Sequence, residues 1–334
     1  MKILVVFTGG TIGSVADDGY ISPSNQTTYQ LIRMYRALKK QEVDFEYIEP
    51  YTLLSENLTG EYINKLGNCL REQINKDYDG IIVTHGTDTV QYSAACMDYL
   101  FPDLQLPVMF VSSNYVLDDT RNNGLDNFTY AVQFISDRQN TGVFAVYRNS
   151  DRIVYVHKGN RLSPHLPYSD DLFSVSGQYY GFYAEDKFVV NPEYQVSSEK
   201  SACSLTLPEN WNSNILRLFP YPGMEYPELT ERTKAVLMDS YHSGTICSVT
   251  PKMTDFFAMA EIKKIPVFLT GVNNGDSYES VKVWKQLNVY TLPVASPIAM
   301  YVKLWMAMHS KDVWDGDYLN NIMQSSIAGD IIID

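Results

Sequence analysis

Long apolar runs are missing from this chain. It has 334 residues, and none of its apolar stretches approaches the ~20 residues that cross a bilayer as a helix. The first apolar run, Ile3 to Phe7, follows a single lysine and ends in Thr8-Gly9-Gly10. A secretory signal needs a longer apolar region and a cleavage site, so a cytoplasmic location is expected. Positive charge is also short: 26 basic against 39 acidic residues leave −13 and a pI near 4.8. That balance argues against nucleic acid and anionic membranes as partners. Cysteine is scarce, with Cys69, Cys96, Cys203 and Cys247 scattered and none in a CxxC pair. The five histidines are equally dispersed, so reduced thiols and no metal site are expected. Phosphate-loop signatures are lacking too. There is neither GxGxxG nor GxxxxGK[ST], and no cofactor is implied.

What is present is concentrated first in residues 1–20. Ile3-Leu4-Val5-Val6-Phe7 is a continuous β-branched-rich run, the pattern of a strand buried on both faces of a parallel sheet. It leads into Thr8-Gly9-Gly10-Thr11-Ile12-Gly13. Glycines there allow a sharp turn and close approach of a ligand, and the strand delivers two hydroxyls to the carboxyl edge where open α/β sheets bind ligands. The stretch then turns polar through Asp17-Asp18-Gly19 to Tyr20. Ile81-Ile82-Val83 repeats the design and delivers Thr84-His85-Gly86-Thr87-Asp88-Thr89, with an aspartate added.

Between and beyond these loops, strands alternate with helices. A helix is expected over 24–40, with Tyr29, Ile32, Tyr35 and Leu38 at helical spacing, then a strand over 43–48, a loop over 51–59, and a helix over 59–75. Helices follow from Val90 and over 125–135, with strands over 107–111, 142–147 and 153–156. This alternation predicts an α/β fold: a larger N-terminal doubly wound, mostly parallel sheet domain over 1–190. Residues 191–213 are polar, carry Pro192 and Pro208, show no periodicity, and read as a linker. A smaller C-terminal α/β domain is expected over 214–334, with strands over 215–219, 235–238 and 266–270 and a helix over 298–309 that is apolar nearly all round and therefore buried. The 25 tyrosines suggest no function.

A threonine hydroxyl is a poor nucleophile unless a base, or a group that lowers its pKa, lies within reach. Thr8, Thr11 and Thr87 supply hydroxyls, and Asp88 is the sole carboxylate of the two loops. Asp88 can anchor a proton relay or bind a substrate ammonium, while glycine N–H groups can stabilise an oxyanion. Such a set suits acyl transfer from an amide or ester. A plain structural alternative makes Asp88 the N-cap of the helix from Val90.

TGGTIG after one strand, GYIS just beyond it and THGTDT after a second strand resemble the bacterial-type L-asparaginase family, cytoplasmic type I branch. Ser55-Glu56-Asn57-Leu58-Thr59, Asp126-Asn127-Phe128, Lys158-Gly159-Asn160-Arg161 and Tyr221-Pro222-Gly223 resemble further family segments. The resemblance implies hydrolysis of L-asparagine to aspartate and ammonia through a threonine acyl-enzyme. Thr11 would be the nucleophile and Tyr20, on a lid, its activator. Thr87 and Asp88 would form the rest of the relay. Ser55 and Glu56, with Gly86, would hold the substrate. The family uses no cofactor and forms homodimers or homotetramers.

Three positions depart from the family pattern. The family's catalytic lysine, three residues after the RGNR arginine, falls on Pro164; its YGxGN reads Tyr241-His242-Ser243-Gly244-Thr245; and an acidic position of its second domain falls on Ile298. Weak activity is therefore expected, and Pro164→Lys is expected to raise kcat. A non-catalytic amino-acid-binding homologue is the main alternative. An amidotransferase subunit that releases ammonia for tRNA-linked chemistry ranks last, because it carries an extra N-terminal domain and this chain is acidic.

Overall fold

In the computed structural model, the residues described are 1–17, 20–23, 25–39, 42–137, 140–196, 205–209, 214–272, 278, 281–282 and 286–332, without the side chains of 16–17, 23 and 25–28. The first apolar run forms β1 (Lys2–Phe7), in which Ile3, Leu4, Val5 and Val6 are almost wholly buried. A hairpin of β2 (Ser14–Asp17) and β3 (Tyr20–Pro23) follows, where the sequence showed only a polar stretch. Then come α1 (Asn25–Leu38), β4 (Asp44–Ile48), α2 (Gly60–Gln73), β5 (Gly80–Thr84), α3 (Val90–Leu100), β6 (Pro107–Val111), α4 (Gly124–Ser136), β7 (Gly142–Arg148), β8 (Val154–Lys158), β9 (Gly181–Ala184) and β10 (Lys187–Val190).

The eight-stranded sheet has the order β10-β9-β8-β7-β6-β5-β1-β4. Strands β4, β1, β5, β6 and β7 are parallel neighbours, and β8, β9 and β10 continue the sheet antiparallel. The sheet is therefore mixed but mostly parallel. Helix α1 buries Leu31, Ile32 and Tyr35, whereas Tyr29 and Leu38 of the expected apolar face are exposed. Period-3.6 spacing locates the helix but not which edge of its stripe meets the sheet. Three of the tyrosines lie at the antiparallel end: Tyr130, Tyr180 and Tyr183 pack with Phe134, Phe144 and Phe188 in a run of tilted and edge-on contacts.

The chain divides into two compact units, 1–195 and 196–334. Of the expected linker, 197–204 and 210–213 lie outside the described residues, as does Cys203. Its first residues pack on the larger unit: Asn191 Nδ2 donates to the Gly177 and Tyr179 carbonyls, and the Gln195 N–H donates to Gln178. The smaller unit holds a parallel sheet of β11 (Ile215–Leu218), β12 (Ala235–Asp239), β13 (Val267–Thr270) and β14 (Tyr290–Thr291). Among the described residues, its helices include α5 (Pro251–Ile262), α6 (Pro297–His309) and α7 (Gly316–Gln324). Helix α6 is buried over Ile298 to Met308 save Tyr301, and its Lys303 ammonium is enclosed with Asp330 at 2.7 Å. The short β14 and helices α5 and α7 were not legible as periodic runs.

Candidate functional site

Strand order reverses at β1. The chain goes from β1 to β4 on one side, then crosses to β5 on the other. At such a switch point the loops leaving neighbouring strands splay apart and open a crevice at the carboxyl edge. Three loops meet there: residues 8–13 after β1, residues 51–59 after β4, and residues 85–89 after β5.

Register fixes their contact. Phe7 pairs with Thr84, so the next residues lie side by side. The Thr8 hydroxyl donates to the Thr84 carbonyl at 2.6 Å. Thr8 is 3% exposed; it holds the loops together rather than facing a ligand. The Gly10 N–H donates to the Leu53 carbonyl at 2.9 Å, and the Leu53 N–H donates to the Thr8 carbonyl at 3.2 Å. Gly10 has φ 74° and lies against Gly86, where a Cβ on Gly10 would stand 2.4 Å from the Gly86 nitrogen. Only glycine fits that conformation and that closeness. A Cβ on Gly86 would in turn stand 2.3 Å from Ser55 Oγ. Gly10, Gly86 and Ser55 are thus the joint at which the three loops touch.

The sequence-derived candidates distribute around this joint. Thr11 opens a short 3-10 turn, Thr11–Gly13, and is half-buried. Ser55 is buried and Glu56 is exposed within the turn Ser55–Asn57. Thr87 is half-buried and Asp88 exposed. Ser55 Oγ donates to Asp88 Oδ2 at 3.2 Å, so the second and third loops are joined through side chains of two candidates. Asp88 is not a helix cap: Thr89 holds the N-cap position of α3, and its hydroxyl donates to the Ser55 carbonyl instead. Tyr20 is 78% exposed, so the structure does not pack it into the site. Asp18 and Gly19 of the expected lid lie outside the described residues.

His85 is the residue that sequence reasoning left without a role. His85 is buried, with Nδ1 2.9 Å from the Gly86 carbonyl and Nε2 2.9 Å from Ser93 Oγ. A carbonyl only accepts, so Nδ1 carries the proton and Nε2 accepts from Ser93. Burial pushes the His85 pKa down to about 4, keeping it neutral. It ties Gly86 to α3 and thereby fixes the joint. His165 is half-buried, with its ring edge-on to Tyr147 at 6.2 Å, while Pro164 is exposed. The basic residues of the nearby segment are committed elsewhere. Lys158 pairs with Asp98 at 2.6 Å, and the buried Arg161 reaches the Gln195 carbonyl at 2.7 Å and lies over the Tyr194 ring. Among the described residues, no lysine or arginine is paired with Asp88, and no cluster of His, Cys, Asp and Glu could hold a metal ion. No described helix is long and apolar enough to cross a membrane.

Fold and site together define an α/β protein in which three loops at the switch point of the larger sheet bring together hydroxyls, glycine N–H groups and two carboxylates, Glu56 and Asp88. The chain belongs to the asparaginase family: the family description "Asparaginase, N-terminal" matches residues 2–190. A glutamyl-tRNA(Gln) amidotransferase subunit of Methanosphaera stadtmanae is 25% identical over 349 aligned residues, spanning 99% of this chain and 76% of that protein. The corresponding subunit from Methanosarcina mazei is 32% identical over 162 residues, covering 48% of this chain and 38% of that protein. Among solved structures, the thermostable L-asparaginase from Thermococcus kodakarensis matches with TM-score 0.79 at 21% identity, over 100% of both chains. L-asparaginase I from Vibrio cholerae matches with TM-score 0.80 at 20% identity, over 99% of both. These structures share the fold.

Proposed function

We propose that the protein is an amidohydrolase that takes L-asparagine to L-aspartate and ammonia through an acyl-enzyme on Thr11. The observation that carries this reading is the three-loop joint, which brings the Thr11 turn against Gly86 and hydrogen-bonds Ser55 to Asp88. Ser55, Glu56 and Gly86 would hold the α-amino and α-carboxylate groups, with Asp88 facing the ammonium. Attack by the Thr11 oxygen on the side-chain amide forms a C–O bond and releases ammonia; water then frees aspartate. Thr87 and Asp88 would serve the proton transfers. Neither a cofactor nor a metal enters this scheme. The protein would act in the cytoplasm as a homodimer or homotetramer. Ammonia release from asparagine, followed beside glutamine, tests the reading; no release from either would overturn it and favour an amino-acid-binding protein without catalysis.

A second reading is favoured by the relatives named as glutamyl-tRNA(Gln) amidotransferase subunits. Here the same amide chemistry would serve a protein partner that uses the ammonia. The net charge of −13 stands against RNA binding by this chain itself but leaves a protein partner open.

Two outcomes follow for ligand binding. Ser55→Ala removes the hydroxyl that bonds Asp88 and lines Gly86. Loss of a hydrogen bond to a charged group is worth about 1.5–3 kcal/mol, so calorimetry should show aspartate affinity at least ~10-fold weaker; an unchanged Kd would exclude Ser55 from the site. The hairpin of β2 and β3 carries the exposed Tyr20. As a closing lid, residues 14–22 should exchange amide hydrogens more slowly with aspartate bound, and identical exchange rates would rule out closure.

A further inference from the structure

Helix α1 and strand β4 flank a groove of about 610 Å³ at the β4 edge of the larger sheet. Ile32 and Phe45, both buried, form its floor, and Tyr29, Arg33, Arg36 and Tyr47 form its rim. Tyr29, Arg33 and Arg36 recur at i, i+4 and i+7 and so share one face of α1. Tyr29 and Tyr47 meet edge-on with ring centroids 5.2 Å apart and hydroxyls 2.6 Å apart, yet stay 52% and 46% exposed. The Arg36 guanidinium lies over the Phe45 ring at 5.8 Å. In a chain of net charge −13, neither arginine is in an ion pair among the described residues. Strand β4 ends the sheet and pairs with β1 alone. The Asp44 N–H donates toward β1, to the Met1 carbonyl at 3.0 Å. Main-chain groups alternate sides along a strand, so those of Phe45 and Tyr47 point to the open edge. The same period puts both side chains on one face, here the groove. The residues that line the groove are therefore those whose N–H and C=O groups face no neighbouring strand. Such an edge is a template for one more strand.

We propose that this groove docks an extended acidic segment of a partner protein, which adds a strand to β4 and sets carboxylates against Arg33 and Arg36. A groove between a helix and an edge strand suits this mode: main-chain hydrogen bonds give affinity and alternate side chains give specificity. Every second side chain of the added strand falls on the groove face, beside Phe45 and Tyr47. There the planar fork of arginine matches a carboxylate, and Ile32 and Phe45 seat an apolar side chain between two acids. The intervening side chains fall on the opposite face, with Asp44 and Glu46. Glu46 is already paired with Lys2 at 2.8 Å and Asp44 is exposed, so neutral or basic residues fit there. Charge stands against a second copy of this chain as the occupant, because two copies joined edge to edge about a two-fold axis would set arginine beside arginine. The net charge of −13 stands against nucleic acid. Docking of this kind is independent of what the three-loop joint hydrolyses.

The probe is a capped, fluorophore-labelled peptide, Thr-Glu-Lys-Val-Thr-Glu-Thr, beside a counterpart with both glutamates replaced by lysine. Fluorescence anisotropy with the full chain, at low salt where charge is least screened, reads the affinities. The acidic peptide should bind at least ~10-fold more tightly than its counterpart, as expected for hydrogen bonds to charged groups. In R33E/R36E that preference should vanish or reverse. Both positions are exposed on α1, so the thermal melting of this variant should match wild type. Two N-methylated forms of the acidic peptide test strand pairing on the wild-type chain. One is methylated on its second, fourth and sixth residues, the other on its third and fifth. An added strand turns only one of these sets toward β4, so one form should lose binding and the other stay within about 3-fold of the parent peptide. At saturation, amide exchange at Phe45 and Tyr47 should slow by about 3-fold or more. Binding of neither peptide up to ~1 mM would overturn the proposal, as would equal affinity for the two or a preference that survives in R33E/R36E. Methylated forms that behave alike, or unchanged exchange at Phe45 and Tyr47, would also overturn it. Displacement of the acidic peptide by an equal concentration of adenosine monophosphate would make the groove a small-anion site and overturn it as well.

Discussion

Thr11→Ala should lower the rate of ammonia release from asparagine by at least ~10³-fold, the scale on which removal of a nucleophile acts. The hydroxyl has no substitute in its own loop, because Thr8 is 3% exposed and spends its hydroxyl on the Thr84 carbonyl. Folding should be nearly unchanged. The loop is held by the Gly10 N–H on the Leu53 carbonyl and by Ser14 Oγ on the Gly10 carbonyl, and neither bond uses the Thr11 side chain. The melting temperature should therefore stay close to wild type, within the ~0.5 kcal/mol typical of substitutions that break no such feature. Aspartate binding should persist through Ser55 and Asp88. Near-normal turnover in this variant would end the acyl-enzyme account, and a large loss of stability would show that Thr11 is a structural residue.

Lys158→Met should have the largest effect on stability. Asp98 lies in α3, the helix that follows Asp88, and is 1% exposed. Its carboxylate accepts from the Lys158 ammonium at 2.6 Å and from the Asn160 N–H at 3.2 Å. Burial raises the Asp98 pKa, and Lys158 is the first of the groups opposing that rise. Removing the ammonium leaves a buried carboxylate without its counter-charge, which costs about 3–5 kcal/mol. That is a large part of the ~5–15 kcal/mol that holds a typical domain together. The sign with pH follows from linkage. A carboxyl whose folded pKa is raised favours the folded state below its unfolded pKa, and this advantage disappears as pH rises through the folded value. Without Lys158 the folded value climbs further, so the deficit against wild type should shrink as the medium is acidified from neutrality. Urea unfolding at pH 7 and pH 5 measures both. A deficit under about 1 kcal/mol, or one that grows in acid, would mean that the pair is not energetically buried.

The elements of the larger sheet were legible because their strands are buried on both faces. Ile3 to Val6 and Ile81 to Val83 are almost wholly buried, and runs without alternation are what such strands require. The helices expected over 24–40, over 59–75, from Val90 and over 125–135 stand at 25–38, 60–73, 90–100 and 124–136. Of the sheet's antiparallel end, β8 was legible as a strand, whereas β9 and β10 were not, because they are four-residue strands joined by a tight turn. The hairpin of β2 and β3 escaped because each of its strands is only four residues long.

The sequence by itself determined that two strands each end in a loop of hydroxyls and glycine, and that the second loop carries Asp88. Tertiary structure alone decided that these loops touch. Contact requires the order reversal at β1 and the Phe7–Thr84 register, neither of which any local pattern encodes. It also decided which hydroxyls are structural. Thr8 and Thr11 are equivalent as residue types, but alternation along the backbone turns Thr8 onto Thr84 and leaves Thr11 to open the next turn. The same holds for Pro164 and His165. Counting positions points to the proline, whereas the path of the loop exposes it and leaves the neighbouring His165 half-buried against Tyr147.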